Sequence, residues 1–438
     1  MNYYSAIAYL DSLVNYERLP NQGGIRERRL ERMRALLDAL GNPQERFRII
    51  HVAGTKGKGS VCAMLHAVLR QCEVPAGLYT SPHLDSVRER IRIEADISEP
   101  HFAEGVQRVQ QAIEQTTPAG GPVTYFEALT ALAFDYFARQ QVRWAVVEVG
   151  LGGRLDATNV AQPPLAILTP ISLDHTDVLG STVTSIAREK SCIIKSGQIV
   201  VSAPQTPAAR AIIAQRCAEQ GAQLIEYGTE VVITSMRLTR EGSTCSMRGS
   251  DQDYPDVRVP LLGRHQMENA ATAVAALEAL QRLDPQIGLT AQRVRDGLAS
   301  VVWPGRAELL PTVPALLLDG AHNRASAARL RELLTELFPR ARIALIIGTS
   351  QGKDMEGMAR ELGPLAAHAW AVAASHPRAM AADEVAAHLH PWVPQVRVVQ
   401  QLADALLQAQ QAACDLIVVT GSLFLVAAAR EHVAAFAR

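Results

Sequence analysis

The stretch Arg48 to Ser60, RIIHVAGTKGKGS, decides how the chain is read. Its first part, Ile49-Ile50-His51-Val52, is a short apolar run of the kind that forms a buried strand. Three glycines follow, Gly54, Gly57 and Gly59, around Lys58. After Ser60 the pattern turns helical, with Val61, Met64, Leu65, Val68 and Leu69 at spacings of three and four. Strand, glycine-rich turn and helix make a cradle for phosphates. Bare backbone lets N–H groups approach the oxygens, the helix N-terminus adds positive potential, and a lysine reaches the outer phosphates. The fit to the common P-loop formula is imperfect. Val52 stands where that formula has its first glycine, and Gly59 separates Lys58 from Ser60. The spacing alone leaves nucleotide binding and a plain glycine turn both open.

At 438 residues two domains are the default, because single cores stop growing near about 250–300 residues. A content of 48% hydrophobic and 20% charged residues describes a globular chain rather than a disordered one. The net charge of −1 supplies no basic field for nucleic acid or an anionic membrane, so neither partner is expected. Arg26, Arg28, Arg29, Arg32 and Arg34 do cluster, but Glu27 and Glu31 interleave with them, which reads as a solvated helix face over an anion site. The six cysteines are scattered and form no C-x-x-C pair. That argues against structural zinc and a disulfide framework, and suits a reducing cytoplasm. The start, MNYYSAIAYLDSL, does not read as a signal peptide, and no apolar run approaches the roughly 20 residues of a membrane span. A monomer is expected, since no exposed apolar interface is evident.

Residues 3–40 carry a helical pattern interrupted by a loop at 21–25. Strands are expected at 76–80, 91–93, 144–149, 165–171 and 198–203, and helices at 99–115, 124–140 and 185–195. Such alternation implies a mostly parallel sheet with helices on both faces. The loops 54–60, 81–84, 150–159 and 172–177 then lie at the carboxyl ends of strands, where these sheets bind ligands. Residues 229–259 suggest a small antiparallel excursion, and helices at 267–282 and 291–301 lead to Trp303-Pro304-Gly305. The predicted fold is α/β: a P-loop-type, mostly parallel sheet domain over 1–303, then a smaller Rossmann-like α/β domain over 304–438. The second has no G-x-G-x-x-G fingerprint.

Several groups stand out against their surroundings. Glu148 lies in the apolar run VVEVG, and a buried carboxylate needs a metal or an ion-pair partner. His175 sits between Asp174 and Asp177 and reads either as a ligand or as a structural hydrogen-bonding histidine. Ser81 alone is a turn residue, and Lys190 alone has the pattern of a solvated surface lysine. Asp319, His322 and Asn323 follow a strand, a placement open to catalysis or binding.

The motifs HVAGTKGKGSV (51–61), LYTSPHL (78–84), TYFEALT (124–130), EVGLGGRLDATN (148–159), LDHTDVLG (173–180), REK (188–190), HQMENAATA (265–273), PGR (304–306), LDGAHN (318–323) and TGSL (420–423) cover nearly the whole chain. In order and spacing they resemble the folylpolyglutamate synthase / dihydrofolate synthase family of the Mur ligase superfamily. EVGLGGRLDATN separates that family from its peptidoglycan-building relatives. The resemblance implies that ATP is bound by Gly54, Thr55, Gly57, Lys58, Gly59 and Ser60, and by Asn269, Arg306 and Asp319. It implies two Mg²⁺ ions held by Ser81, Glu148, His175 and Lys190, the last as a carbamate, against its surface reading. Folate contacts are implied at Gly23, Gly24, Thr124, Tyr125, Phe126, Glu127, Leu155, Asp156 and Ala157. Glutamate is implied near the domain interface at His322 and Ser422, with Lys58, Asp319 and His322 as catalytic groups. The chain departs at Lys56, where many bacterial members carry Asn, and the extra cation bears on phosphate affinity.

The implied reaction is ATP-dependent joining of L-glutamate to a folate carboxylate through an acyl phosphate, with dihydropteroate as a further acceptor. Closure of the two domains is a natural requirement, since an acyl phosphate must be kept from water. The alternatives are a Mur-type UDP-sugar peptide ligase and a non-catalytic ATP-binding protein. The presence of Glu148, His175 and Lys190 together argues against the latter.

Overall fold

The computed structural model of the chain describes residues 1–17, 29–116, 121–374 and 376–436. These fall into two compact units. The first comprises Met1–Met236, Cys245–Arg258 and Met267–Val301. The second comprises Arg237–Thr244, Val259–Gln266 and Val302–Arg438, so the chain passes back and forth between the units before the second one is completed.

The first unit is built on a seven-stranded sheet. In chain order its strands are β1 (Arg48–Ala53), β2 (Ala76–Tyr79), β3 (Ile91–Arg92), β4 (Trp144–Glu148), β5 (Leu165–Leu168), β6 (Ile199–Ser202) and β7 (Gln223–Glu226). Their spatial order is β3-β2-β4-β1-β5-β6-β7. Every neighbouring pair is parallel except β2 and β3. Strands β2, β4 and β5 are buried at every residue, as parallel strands covered on both faces must be. The order reverses about β1: β2 and β4 lie on one side, β5 to β7 on the other. That switch opens a crevice beyond the carboxyl ends of β1, β4 and β5.

One sheet face is covered by the helices Tyr3–Ser12, Arg29–Ala39, Glu99–Gln115 and Tyr125–Arg139, which share a core with Phe102, Leu129, Leu132, Phe134 and Phe137. The helix Tyr125–Arg139 starts at a capping box in which Thr124 and Glu127 satisfy each other's backbone N–H groups. The helical pattern predicted over 3–40 is shorter than expected. Residues 13–17 leave the helix because Val14 turns to give its carbonyl to Tyr125 N–H at 3.0 Å. The solvated-face reading also fails at Arg32. Its guanidinium is buried and grips Glu127 with two bonds, at 2.9 and 2.6 Å. Gly23 and Gly24 lie outside the described residues. The helix Pro207–Gln220 and strand β7 were not anticipated, although Thr206 caps the helix start and left-handed Gly221 ends it.

Three strands, β8 (Val232–Thr239), β9 (Gly242–Arg248) and β10 (Asp253–Val259), make a small separate sheet. The main sheet of the second unit has six strands among the described residues: β11 (Glu308–Leu310), β12 (Ala315–Asp319), β13 (Ile343–Ile347), β14 (Ala366–Ala371), β15 (Val396–Val398) and β16 (Leu416–Thr420). Their order is β11-β12-β16-β13-β14-β15, parallel except for the edge strand β11. Its core joins Leu317, Leu345 and Val418 to Leu330, Leu334 and Met358 from the flanking helices. Leu262 belongs to the same core, and Leu238 packs against it.

Removing one partner of a buried ion pair strands the other without compensation, at roughly 3–5 kcal/mol. Arg32→Met is expected to lower stability by about that amount, read from the urea midpoint. A shift below about 1 kcal/mol, the value of an exposed pair, would show that the Arg32–Glu127 contact is not desolvated in solution.

Candidate active site

The helix Lys58–Gln71 begins where β1 and its glycine turn end. Its first intrahelical bond runs from Val61 N–H to Gly57 O at 2.9 Å, which leaves the N–H groups of Lys58, Gly59 and Ser60 directed past the helix end. Gly57 is left-handed at φ 83°, and a Cβ there would stand 2.5 Å from Asn269 Oδ1. Asn269, on the helix Arg264–Leu283, is therefore brought directly against the phosphate-loop backbone. Thr55 ties the loop to the chain after β5. Its hydroxyl donates to Ser172 O and accepts from Ser172 N–H, each at 3.1 Å.

Glu148 is the last residue of β4 and is buried. One carboxylate oxygen lies 3.7 Å from Lys58 Nζ, and the other accepts Ser81 N–H at 3.0 Å. Three groups expected to act together thus meet beside the glycine turn. Lys56 Nζ reaches Asp174 Oδ2 at 2.9 Å. Asp174 Oδ1 accepts His175 N–H at 3.0 Å and lies 3.9 Å from His175 Nε2. His175 is half exposed and adopts the left-handed region, φ 49°. Sequence reasoning noted Lys56 but gave no role to Asp174, since a pairing between residues so far apart leaves no mark in spacing.

Lys190 is not on the surface. It is buried on the helix Val183–Ser191, with Nζ donating to Gly54 O at 2.8 Å. Burial, and next the charge of Lys58, lower its amine to about 7, against the opposing pull of Asp174 and Asp156. The segment 150–159 is packed on the end of the same helix. A Cβ at Gly153 would stand 2.6 Å from Glu189 O, and Arg154 N–H donates to that same carbonyl at 3.0 Å.

The residues expected to meet folate are used unevenly. Thr124 and Glu127 are spent on the helix cap and on Arg32, and Tyr125 is buried. Phe126 is partly exposed and lies against Gly150, whose added Cβ would come within 2.5 Å of its ring. Leu155 is partly exposed, while Asp156 and Ala157 are buried. The Asp156 carboxylate accepts from Leu151 N–H, Thr158 N–H and the Thr158 hydroxyl, so it closes its own loop. Burial raises its pKa. His51, which sequence reasoning passed over, is buried with Nε2 2.8 Å from Thr158 Oγ1. Burial, with Lys195 adding to it, pushes His51 down to about 3.

A second group of expected residues gathers in the second unit, where β12 pairs with β16 and Asp319 lies opposite Thr420. Asp319 accepts Ala307 N–H and Ala321 N–H, both at 2.9 Å, which fastens the PGR turn to the strand end. A Cβ on Gly320 would meet Arg306 Nη1 at 2.6 Å, so the guanidinium lies over that glycine. His322 Nδ1 donates to Gly320 O at 2.8 Å. Ser422 is buried, and its hydroxyl accepts Phe424 N–H at 3.2 Å. A surface cavity of about 510 Å³ lies elsewhere, at the amino ends of β1 and β4, where Arg143 and Asp284 pair.

Comparison with known proteins gives the same outline. Residues 52–277 match the Mur ligase middle domain, and residues 305–423 match the glutamate ligase domain of Mur ligases. The chain is 36% identical to the folylpolyglutamate synthase of Lacticaseibacillus casei, over 98% of each. It is 32% identical to the dihydrofolate synthase/folylpolyglutamate synthase of Bacillus subtilis, over 92% of this chain and 94% of the relative. Mycobacterium tuberculosis folylpolyglutamate synthase complexed with ADP and AMPPCP superposes with a TM-score of 0.89 at 32% identity, covering 98% of this chain and 99% of that one.

The Lys190 amine should titrate near neutrality, followed by NMR of ¹³C-labelled lysine side chains. Lys58→Met removes a repelling charge, so the charged form of Lys190 becomes easier and its midpoint should rise. A midpoint that falls or stays in place would show that Lys58 does not act on it.

Proposed function

The chain belongs to the folylpolyglutamate synthase and dihydrofolate synthase family of the Mur ligases, and from that premise we propose that it joins the amine of L-glutamate to a folate carboxylate, with dihydropteroate as a second acceptor. It is an ATP-dependent ligase. The observation that carries the reading is the meeting of Lys58, Glu148 and Ser81 at the ends of β1, β4 and β2, beside helix N–H groups that have no intrahelical acceptor.

In this reading residues 1–303 bind ATP and folate, and 304–438 form the amino-acid ligase unit, which 237–244 and 259–266 complete. The barrier to the first step is the approach of a carboxylate to a polyphosphate. Gly54, Thr55, Gly57, Gly59 and Ser60 offer backbone to the phosphates, and Lys58 neutralises charge as it shifts to the leaving oxygen. Asn269 contacts the nucleotide from beside Gly57. Arg306, Asp319 and His322 act on ATP and on the incoming amine, and His322 with Ser422 holds glutamate. Phe126, beside Gly150, and Leu155 offer partly exposed apolar surface to the pterin. Thr124, Tyr125, Glu127, Asp156 and Ala157 shape that surface from below. A water-poor site protects the acyl phosphate until the amine attacks and phosphate leaves.

Among the described residues no three His, Cys, Asp or Glu side chains converge as a metal cage. Mg²⁺ does not need one, because it is commonly held by one or two carboxylates together with substrate phosphates. Glu148 and Ser81, which meet beside the glycine turn, with His175, suit that role and would hold the Mg²⁺, two ions in this reading. When bound, these supply charge neutralisation and polarise the phosphoryl oxygens. The near-neutral amine of Lys190 makes a carbamate chemically accessible, since only an uncharged amine adds CO₂. We place the enzyme in the cytoplasm, a reading supported by six free cysteines, and take it to act as a monomer.

Labelled L-glutamate should add to tetrahydrofolate in an ATP-dependent assay, and addition to dihydropteroate run in parallel would establish the bifunctional form. Addition to neither, with ATP still consumed, would return the chain to the UDP-sugar peptide ligases. Lys58→Met is expected to lower kcat about 10²–10³-fold, the scale for losing one preorganised charge-stabilising group. Lys190→Ala should be inactive and partly rescued by short carboxylates; a fully active variant would remove the carbamate from the scheme.

A further inference from the structure

His51 takes no part in the chemistry above, yet it lies directly beneath it. It sits on β1, three residues before Gly54, and is fully buried. The Asp156 carboxylate takes amide N–H groups from Leu151 and Thr158, so it is an acceptor, and the Thr158 hydroxyl must spend its one proton on Asp156 Oδ1. The Thr158 oxygen then has only a lone pair to offer His51. The bond between them therefore runs from His51 Nε2–H to Thr158 Oγ1, and this fixes the tautomer of the ring.

Nδ1 has no hydrogen-bond partner among the described residues. A second proton there would be a buried N–H without an acceptor, so the ring stays neutral. A buried acceptor left unmatched works against stability, and an apolar side chain of similar size would avoid that cost. Packing does not account for a histidine here. What the ring supplies is one N–H, carried by the strand that bears the phosphate loop and given to the segment 150–159.

We propose that His51 is a positioning residue that, through Thr158 and Asp156, holds the folate-facing segment at Leu155–Ala157 in register with the phosphate loop. This rests on the folate reading given above. His51 touches neither ATP nor folate; it sets the distance between the surfaces that do. Loss of the brace should loosen the folate surface and leave the glycine turn, which has its own bonds to the chain after β5, as it is.

The test compares His51→Leu, His51→Gln, Thr158→Val and the double variant His51→Leu/Thr158→Val, after circular dichroism confirms that each is folded. His51→Leu should raise the KM for folate roughly tenfold, the scale of a small misplacement of a bound substrate, and leave the KM for ATP within about twofold. His51→Gln keeps an N–H at similar reach and should recover most of the loss. The double variant should be no worse than the more affected single one, since both remove the same link. Equal rises in both KM values, or a glutamine variant no better than leucine, would overturn the proposal. The ¹⁵N spectrum of the wild-type ring should show a neutral, Nε2-protonated histidine without any substrate present; a doubly protonated ring at neutral pH would also overturn it. A wild-type chain that turns over no folate would overturn the folate reading itself. Normal wild-type turnover with an unaltered His51→Leu would overturn the role of His51 alone.

Discussion

The arrangement of the first unit depends on bare backbone at Gly54. A side chain there would place its Cβ 1.9 Å from Thr169 Oγ1 and 2.8 Å from Thr169 O. The ends of β1 and β5 can therefore touch only because position 54 carries no Cβ, and its φ of 151° is itself one that glycine tolerates best. The close approach also aims the Gly54 carbonyl at Lys190 Nζ. Any larger residue would part the two strand ends and take away the acceptor that lets a buried lysine sit there. The close approach of the two strand ends and the seat of the buried amine both follow from one missing methyl group.

Charge in this region is arranged for a guest. Lys58 and Lys56 both act on Lys190, with Asp174 and Asp156 pulling the other way, and Glu148 and Asp174 lie beside Lys58 and Lys56. Desolvating a lone ammonium costs several kcal/mol, so the chain meets the problem in two ways. Lys56 and Lys58 remain partly exposed beside carboxylates, while Lys190 loses much of its charge near neutral pH. An anion arriving beside the glycine turn would be drawn by the partly exposed Lys56 and Lys58.

Much of this was legible in the sequence. The strand–glycine–helix run of 48–71 and the alternation after it place the sheet and its carboxyl-end loops, because periodicity and glycine carry local information. Glu148 stood out as a charge in an apolar strand, and the structure puts it between Lys58 and the Ser81 N–H beside the glycine turn. Pairings across long separations were not legible. Nothing near Arg32 announces Glu127, 95 residues away, and nothing near Lys56 announces Asp174, 118 residues away. Lys190 showed the pattern of a surface residue, since one buried lysine on an amphipathic helix barely alters its periodicity. The sequence motifs also carry residues of different kinds. Within EVGLGGRLDATN, Glu148 faces the phosphate loop, whereas Asp156 is consumed in closing its own turn.

The path of the chain between the two units bears on how such enzymes are recombined. Leu262, far upstream of the nominal boundary, is part of the core of the second unit, and Leu238 packs against that core. A gene segment beginning at residue 304 would thus leave behind part of the interior it needs. The glutamate-ligase unit is not a cassette that can be lifted out at one junction. Exchange between relatives, in evolution or at the bench, must carry the strand pair near 237–244 and the turn at 259–266 along with it.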